Sequence, residues 1–183
     1  MLHLKNSSEL NRKMAKDILR ESRRLASGMD LILRDCRISK KYIEFDTSIS
    51  KSKLDQLVEK LSPIGPLDHA KLVVEEIIEK EDAISDGISY FNNERFWECH
   101  EILEAVWKNC TGNEKFLVQG LILVAAGFVH YQKDEDEICI SIFNRALAKL
   151  ENSNGEYYHI NIDKIKETIT KMINSKDVSS FLI

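Results

Sequence analysis

The sequence predicts a mainly α-helical protein, in which a C-terminal bundle of repeat-like antiparallel helix pairs follows a small α+β unit. After Pro66, apolar residues recur every three or four positions almost to the end of the chain, as they do in amphipathic helices. Before Pro66, one stretch alternates with a period of two, which indicates a β-strand. The 183 residues suit one ordinary domain or two small ones.

The first unit, residues 1–66, is predicted to contain a helix, a β-hairpin and a second helix. The first helix begins near Ser7 and ends at Gly28. Two strands are predicted in DLILRDCRIS and YIEFDTSIS, the second of which alternates apolar residues with Tyr42, Glu44 and Asp46 and should be half-buried. A hairpin alone is marginally stable, so the helix that follows it is expected to cover one face. The segment SPIGP holds both prolines of the chain and marks the predicted boundary.

The second unit, residues 67–183, is predicted to be helical throughout. A helix capped by Asp68 should be the first of the bundle. Five further helices are predicted from apolar stripes over residues 83–91, 96–110, 117–128, 138–150 and 163–173. The tail SSFLI is apolar, and we expect it to dock on the bundle.

A faint internal repeat supports paired helices in this unit. Three residues recur identically 40 positions apart, namely Gly87 and Gly127, Cys99 and Cys139, and Ile102 and Ile142. Each copy is a helix, a short polar turn and a second helix, and it looks like the unit of tetratricopeptide-type repeats. Two copies are fewer than a solenoid needs, so a compact bundle is expected.

The candidate site lies in FWECHEILEAVW. An apolar stripe on the predicted helix consists of Phe96, Cys99, Leu103, Val106 and Cys110. A second stripe, about 100° round the helix, consists of Trp97, His100, Glu104 and Trp107. An imidazole and a carboxylate four residues apart can hydrogen-bond each other or hold one metal ion together. The two tryptophans are expected to exclude water above and below the pair.

Other residues could complete this site. The loop at residues 111–113 is short, so the flanking helices should be antiparallel, which sets Gln119 level with Glu104. Glu101 or a residue of another helix could supply a further metal ligand. His130 lies farther along the second helix, at roughly 10 Å for seven residues of rise, and would need a steep helix crossing.

Several classes of function are excluded or disfavoured. The zinc-protease pattern HExxH fails, because its fifth position is Glu104. No nucleophile elbow, phosphate-binding loop or dinucleotide fingerprint is present. The four cysteines form no CxxC pair, and we interpret them as structural thiols.

The expected surroundings are cytoplasmic. The start of the chain has no signal pattern and no run of eighteen apolar residues occurs, so we expect neither secretion nor a membrane span. Residues 1–66 carry 14 Lys+Arg and 9 Asp+Glu, while residues 67–183 carry 12 and 21. This modest basic excess could serve a nucleic acid or an acidic partner, but no RNA-binding motif accompanies it, so nucleic acid is not the expected partner. A homo-oligomer is left open.

The segment FNNERFWECHEILEAVW, with QGLILVAAGFVHYQ after it, resembles the prokaryotic family catalogued as domain of unknown function 309. That family is defined by an HxxxExxW or HxxxExxY motif, met here by His100, Glu104 and Trp107. The resemblance covers roughly residues 80–150 and implies a small helical domain of unknown activity, with metal binding suggested for the motif. The added amino-terminal unit is similar to that of archaeal members. Cys99 stands where a small residue is expected.

Two interpretations stay open at this stage. In one, His100 and Glu104 form a metal site or a small-ligand site, with a divalent metal ion as the suggested cofactor, and the sequence does not decide between an enzyme and a binding protein. In the other, the protein is a non-catalytic interaction module in which the same pair is buried and structural. A solvent-reachable cavity beside the pair would favour the first, and a sealed pair would favour the second.

Overall fold

A computed structural model describes residues 1–73 and 78–183 of the chain. The described residues form two compact units, each with its own hydrophobic core. The first contains residues 1–73 together with 132–134, and the second contains residues 78–131 and 135–183. The mainly helical class with an α+β unit at the amino terminus is confirmed.

Unit 1 is an antiparallel sheet covered on one face by two helices. In chain order its elements are β1 (Leu2–Lys5), a 3-10 turn (Arg12–Met14), α1 (Ala15–Leu25), β2 (Ile32–Ile38), β3 (Tyr42–Ser48), a 3-10 turn (Lys51–Lys53), α2 (Leu54–Leu61) and β4 (Leu67–Ala70). The strand order is β2-β3-β1-β4. The predicted hairpin is therefore present as β2 and β3, with a helix before it and one after it. The first helix was predicted to begin near Ser7, but α1 begins at Ala15.

Two strands, β1 and β4, were not predicted from the sequence. β1 and β4 have only four residues each, too few for an alternating pattern to emerge. The helix expected from Asp68 was wrong over Leu67–Ala70, because these residues pair with β1. Ile77, expected in the same helix, lies outside the described residues.

A row of polar side chains crosses the sheet from strand to strand. Register aligns Arg37 of β2 with Glu44 of β3, Glu44 with His3 of β1, and His3 with His69 of β4. The Arg37 Nε donates to Glu44 Oε2 at 3.2 Å, and His3 Nε2 lies 3.4 Å from Glu44 Oε1. The His3 ring stacks on that of His69 with centroids 4.2 Å apart.

The depth of this row differs from the expectation of a half-buried strand. The side chain of Glu44 is only 1% exposed, and that of Arg37 only 2%. A carboxylate and a guanidinium removed from water each lose hydration, and their mutual pairing compensates for it. Strand periodicity predicts which face a residue occupies, but not whether that face meets water.

We expect Glu44→Ala to lower the free energy of unfolding by about 3 kcal/mol or more, because it removes the carboxylate that a buried guanidinium contacts. Denaturant titration of the full chain measures this change. Asp46→Ala is the matched control, since Asp46 lies on the same strand and pairs with Arg34 at the surface, where such pairs contribute about 0.2–1 kcal/mol. Equal losses in the two variants would contradict a special role for the buried row.

Unit 2 is a helical bundle with one two-stranded ribbon. Its elements are α3 (Lys80–Asn92), α4 (Phe96–Asn109), α5 (Gly112–Tyr131), α6 (Asp136–Leu150), β5 (Glu156–Tyr157), β6 (Ile160–Asn161) and α7 (Ile162–Ser175). Consecutive helices from α3 to α7 pack against each other along the chain. The side chains of Phe181 and Ile183 pack against the core of this unit, as expected for an apolar tail.

The 40-residue repeat has a structural counterpart in the turns. Glu94 and Asp134, 40 positions apart, both adopt left-handed backbone, with φ of 60° and 62°. The amide of the next residue donates to a carbonyl five positions back in both copies, from Arg95 to Tyr90 and from Glu135 to His130. Both copies therefore end their first helix in the same way.

Glycine at the repeated position lets the helices of each pair approach closely. A Cβ atom added at Gly127 would lie 2.4 Å from the Phe143 ring, and one at Gly87 would lie 3.2 Å from the Leu103 side chain. Leu103 and Phe143 are themselves 40 residues apart. The pairs α3–α4 and α5–α6 thus share a contact that depends on the absence of a side chain.

Helix α5 is the one described helix that is long and apolar enough to cross a membrane. It has 20 residues with a mean hydropathy of 1.2 in its most apolar window, 44% of which is buried. Core helices have the same length and composition, and α5 lies between α4 and α6 in the bundle. Its contacts with these two helices bury part of its apolar surface.

We expect Gly127→Ala to destabilise the protein by about 1–3 kcal/mol, because the Phe143 ring must shift to admit a methyl group. Gly87→Ala should stay within about 1 kcal/mol of wild type, since the gain in helix propensity offsets a milder contact. Thermal and denaturant unfolding of both variants measure the difference. The reverse order of stability would show that the α5–α6 contact does not limit the packing.

Candidate functional site

The site is built on one face of α4. The buried face of α4 contains Phe96, Cys99, Leu103 and Val106, which belong to the core of unit 2. Because 3.6 residues complete a turn, the positions next to this stripe lie at the edge of the interior. The helix therefore presents its polar motif beside the core and not opposite to it.

His100 and Glu104 contact each other along this edge. The His100 Nε2 lies 3.3 Å from Glu104 Oε1. The side chain of His100 is 25% exposed and that of Glu104 is 47% exposed. The pair is thus accessible to solvent, whereas the sequence suggested that the two tryptophans would shield it from water.

Glu101 joins the pair to form a cluster of three donors. One ligand atom each from His100, Glu101 and Glu104 lies within 4.8 Å of the other two. Positions i, i+1 and i+4 meet in this way because a helix brings the fourth residue back over the first while the second lies beside it. Two carboxylates this close repel each other, and a bound cation relieves that repulsion.

Two polar atoms of the motif are buried without a hydrogen-bond partner among the described residues. They are the Nδ1 of His100 and the Nε1 of Trp107. Most buried polar atoms in native proteins have partners, so each exception calls for an explanation such as an ion or a ligand. Both atoms belong to residues of the HxxxExxW motif on α4.

The two tryptophans are half-buried and do not enclose the pair completely. The Lys115 Nζ, on α5, lies 4.4 Å from the centroid of the Trp107 ring, a cation–π contact. Lys115 was not among the site residues that the sequence predicted. The antiparallel register of α4 and α5 places it opposite Trp107, so register alone could have indicated it.

Two predicted site residues are not brought into the cluster. Among the described residues, no hydrogen bond joins Gln119 to Glu104, although Gln119 is half-buried on the facing helix. His130 pairs with Glu135, with its Nδ1 2.6 Å from Oε2, at the end of α5. His130 is therefore engaged at a different helix terminus from the motif.

Cys99 faces the core and not the cluster. Its side chain is 1% exposed, and burial raises the pKa of its thiol to about 12. A protonated thiol is a poor metal ligand and a poor nucleophile. The departure from a small residue at this position thus alters core packing and leaves the donor set unchanged.

The fold and the site define a mainly helical protein whose bundle carries an HxxxExxW motif on the second helix of a helix pair. Residues 84–142 match the family model described as Domain of unknown function (DUF309). This segment extends from α3 into α6 and contains all three motif residues. No curated protein matches the chain.

We expect Glu104→Gln to change the free energy of unfolding by less than about 1 kcal/mol, because exposed ion pairs contribute little. Denaturant unfolding with tryptophan fluorescence measures it. If Glu104→Gln instead lowers the free energy of unfolding by about 3–5 kcal/mol, as breaking a buried ion pair does, then His100 and Glu104 form a structural pair.

Proposed function

We propose that the helical unit binds a divalent metal ion through His100, Glu101 and Glu104. The observation that carries this proposal is the convergence of three donor atoms within 4.8 Å on a solvent-accessible face. One neutral imidazole and two carboxylates together carry two negative charges, which neutralise a divalent cation.

The chemistry of the donors narrows the choice of metal. Imidazole suits zinc and iron, carboxylate suits manganese and magnesium, and the absence of a thiolate from the cluster disfavours copper(I). Zn²⁺, Mn²⁺ and Fe²⁺ are therefore the ions that fit this set. The unpartnered His100 Nδ1 is the atom for which an outer-shell acceptor or ligand would be expected.

Three ligands from one helix occupy one side of an ion and leave its other positions to water or substrate. Catalytic metal sites differ from structural ones in keeping such an open position. A metal-bound water is more acidic than bulk water, and it can act as a nucleophile near neutral pH. The geometry thus supports a metal site open to hydrolytic chemistry, in preference to a closed structural site.

We propose a cytoplasmic location for this function. All four cysteines are free and buried, which suits a reducing compartment. The alternative, a purely structural His–Glu pair in an interaction module, is less consistent with 47% exposure of the Glu104 side chain.

We expect protein purified without chelator to carry a divalent ion that His100→Ala removes. Elemental analysis measures the bound metal, and titration of chelator-treated protein with Zn²⁺, Mn²⁺ or Fe²⁺ measures affinity. Loss of a direct ligand should weaken binding by more than the roughly 10–100-fold that loss of an outer-shell partner costs. Glu101→Gln should weaken binding as well.

His130→Ala provides the matched control, because His130 also contacts a glutamate but belongs to no described three-donor cluster. The control should bind metal like the wild type, and circular dichroism should show that every variant is folded. The proposal fails if wild-type protein binds none of the three ions above background, or if His100→Ala binds them equally well.

A further inference from the structure

Helix α5 places a half-buried cation opposite the end of the motif. The Lys115 Nζ lies 4.4 Å from the centroid of the Trp107 ring on α4. Among the described residues, Lys115 forms no ion pair with a carboxylate. Its neighbour Glu114 is already engaged, because it accepts hydrogen bonds from Lys80 and from the Tyr157 hydroxyl. Within the described part of the chain, the charge of Lys115 is therefore met only by an aromatic ring.

A second uncommitted group, the amide of Gln119, lies one turn farther along the same face of α5. Residues four apart on a helix are neighbours, about 5–6 Å from each other. Gln119 is half-buried, and its amide forms no hydrogen bond with another described residue. Since Lys115 contacts Trp107 and the two helices run antiparallel, Gln119 faces α4 at the level of Glu104.

The uncommitted groups on this face are mainly hydrogen-bond donors. An ammonium group and an indole N–H can only donate, and a glutamine amide offers two N–H bonds beside its carbonyl. The Nε1 of Trp107 is a further donor, buried without an acceptor among the described residues. The nearby carboxylates of Glu101 and Glu104 belong to the three-donor cluster. A ligand that suits this face must therefore bring acceptors.

Charge balance makes the required acceptor an anion. A divalent ion in the cluster is neutralised by Glu101 and Glu104, and the neutral imidazole of His100 adds no charge. Lys115 then leaves one positive charge in excess beside the metal. A charge-assisted hydrogen bond to an oxyanion is stronger than a hydrogen bond between neutral groups, so an anion gains more from this position than a neutral ligand does.

The contact with Trp107 keeps the ammonium beside the cluster while no anion is bound. A lysine ammonium is carried on a flexible four-carbon stem, so it can leave the ring without any movement of the helix. An exposed cation–π contact is weaker than a charge-assisted hydrogen bond, and an arriving oxyanion therefore displaces it. The aromatic ring thus holds Lys115 in place without committing its charge.

We propose that Lys115 and Gln119 form an oxyanion-binding subsite of the metal site. This inference rests on the metal binding proposed above, and it names the class of ligand. The ligand is a small molecule that coordinates the metal through one group and carries a carboxylate or a phosphate about one helical turn away. Both kinds of oxyanion offer the negatively charged oxygen atoms to which Lys115 and the Gln119 amide donate.

The test compares two five-carbon acids on the metal-loaded full chain. Glutarate carries a carboxylate at each end, and pentanoate carries one at a single end. With Zn²⁺ bound, or Mn²⁺ where Zn²⁺ does not bind, wild-type protein should bind glutarate about tenfold or more tightly than pentanoate, because only glutarate has a second carboxylate for Lys115. Isothermal titration calorimetry measures both affinities.

A third probe distinguishes the two oxyanion chemistries. In 3-phosphonopropanoate a phosphonate replaces one of the two carboxylates. Tighter binding of this compound than of glutarate would assign the subsite to phosphate groups, and tighter binding of glutarate would assign it to carboxylates. Either order supports the subsite, provided that the preferred compound also binds more tightly than pentanoate.

Lys115→Met removes the charge and keeps an unbranched apolar side chain against Trp107. It should reduce the preference for glutarate to within about twofold, without weakening Zn²⁺ binding, because Lys115 is not a metal ligand. Lys149→Met is the matched control, since the Lys149 Nζ also lies over an aromatic ring, that of Phe116, at 5.2 Å, but belongs to α6. The control should keep the full preference, and Gln119→Leu should lose part of it.

Failure of the subsite and failure of the metal site give different results. Wild-type protein that binds metal but shows no preference for a doubly charged probe overturns the subsite and leaves the metal site standing. Wild-type protein that binds none of the three ions overturns both. Equal losses in Lys115→Met and Lys149→Met would indicate a general effect of charge and overturn the subsite, as would a preference that survives in metal-free His100→Ala. Lys115→Gln takes the place of Lys115→Met if circular dichroism shows that the latter does not fold.

Discussion

The close approach of the two helices in each pair is the constraint on which the helical unit depends. Glycine at positions 87 and 127 brings α3 against α4 and α5 against α6 at distances that a methyl group would disturb. Once Leu103 lies against Gly87, the rotation of α4 about its own axis is fixed. His100, Glu101 and Glu104 then have to lie at the edge of the core, where three donor atoms converge and solvent still reaches them.

Much of this unit could be predicted from the sequence, because helical periodicity is a local signal. The existence and order of α3 to α7 follow from apolar spacing, although α5 begins at Gly112, inside the loop predicted over residues 111–113. The His–Glu contact follows from a separation of four residues. What periodicity does not encode is depth. The stripe with Trp97 and Trp107 was expected to form a closed interior, yet it lies at the margin of the core, since depth depends on which elements pack on each side.

The difference between local sequence patterns and long-range packing also explains which strands of the amino-terminal unit were predicted. The hairpin was predictable, because β2 and β3 are adjacent in sequence and alternate over seven residues each. β1 and β4 become strands only because they pair across the sheet with partners distant in sequence, and four residues carry too little pattern to indicate it. The burial of Glu44 was equally hidden, since an alternating glutamate normally indicates a face toward water.

Polar side chains at two places on the bundle make contacts of different kinds. The cluster on α4 uses side-chain charge, which is sensitive to every neighbouring ion and donor. The end of α3 instead holds the carboxyl-terminal segment, through hydrogen bonds between Asn92 and the main chain of Ile183. The core beneath them consists of aliphatic and aromatic side chains, with close helix contacts at two glycines, and its burial contributes the bulk of the stability. Destabilising features such as the unpartnered His100 Nδ1 persist because the packing of this core compensates for them.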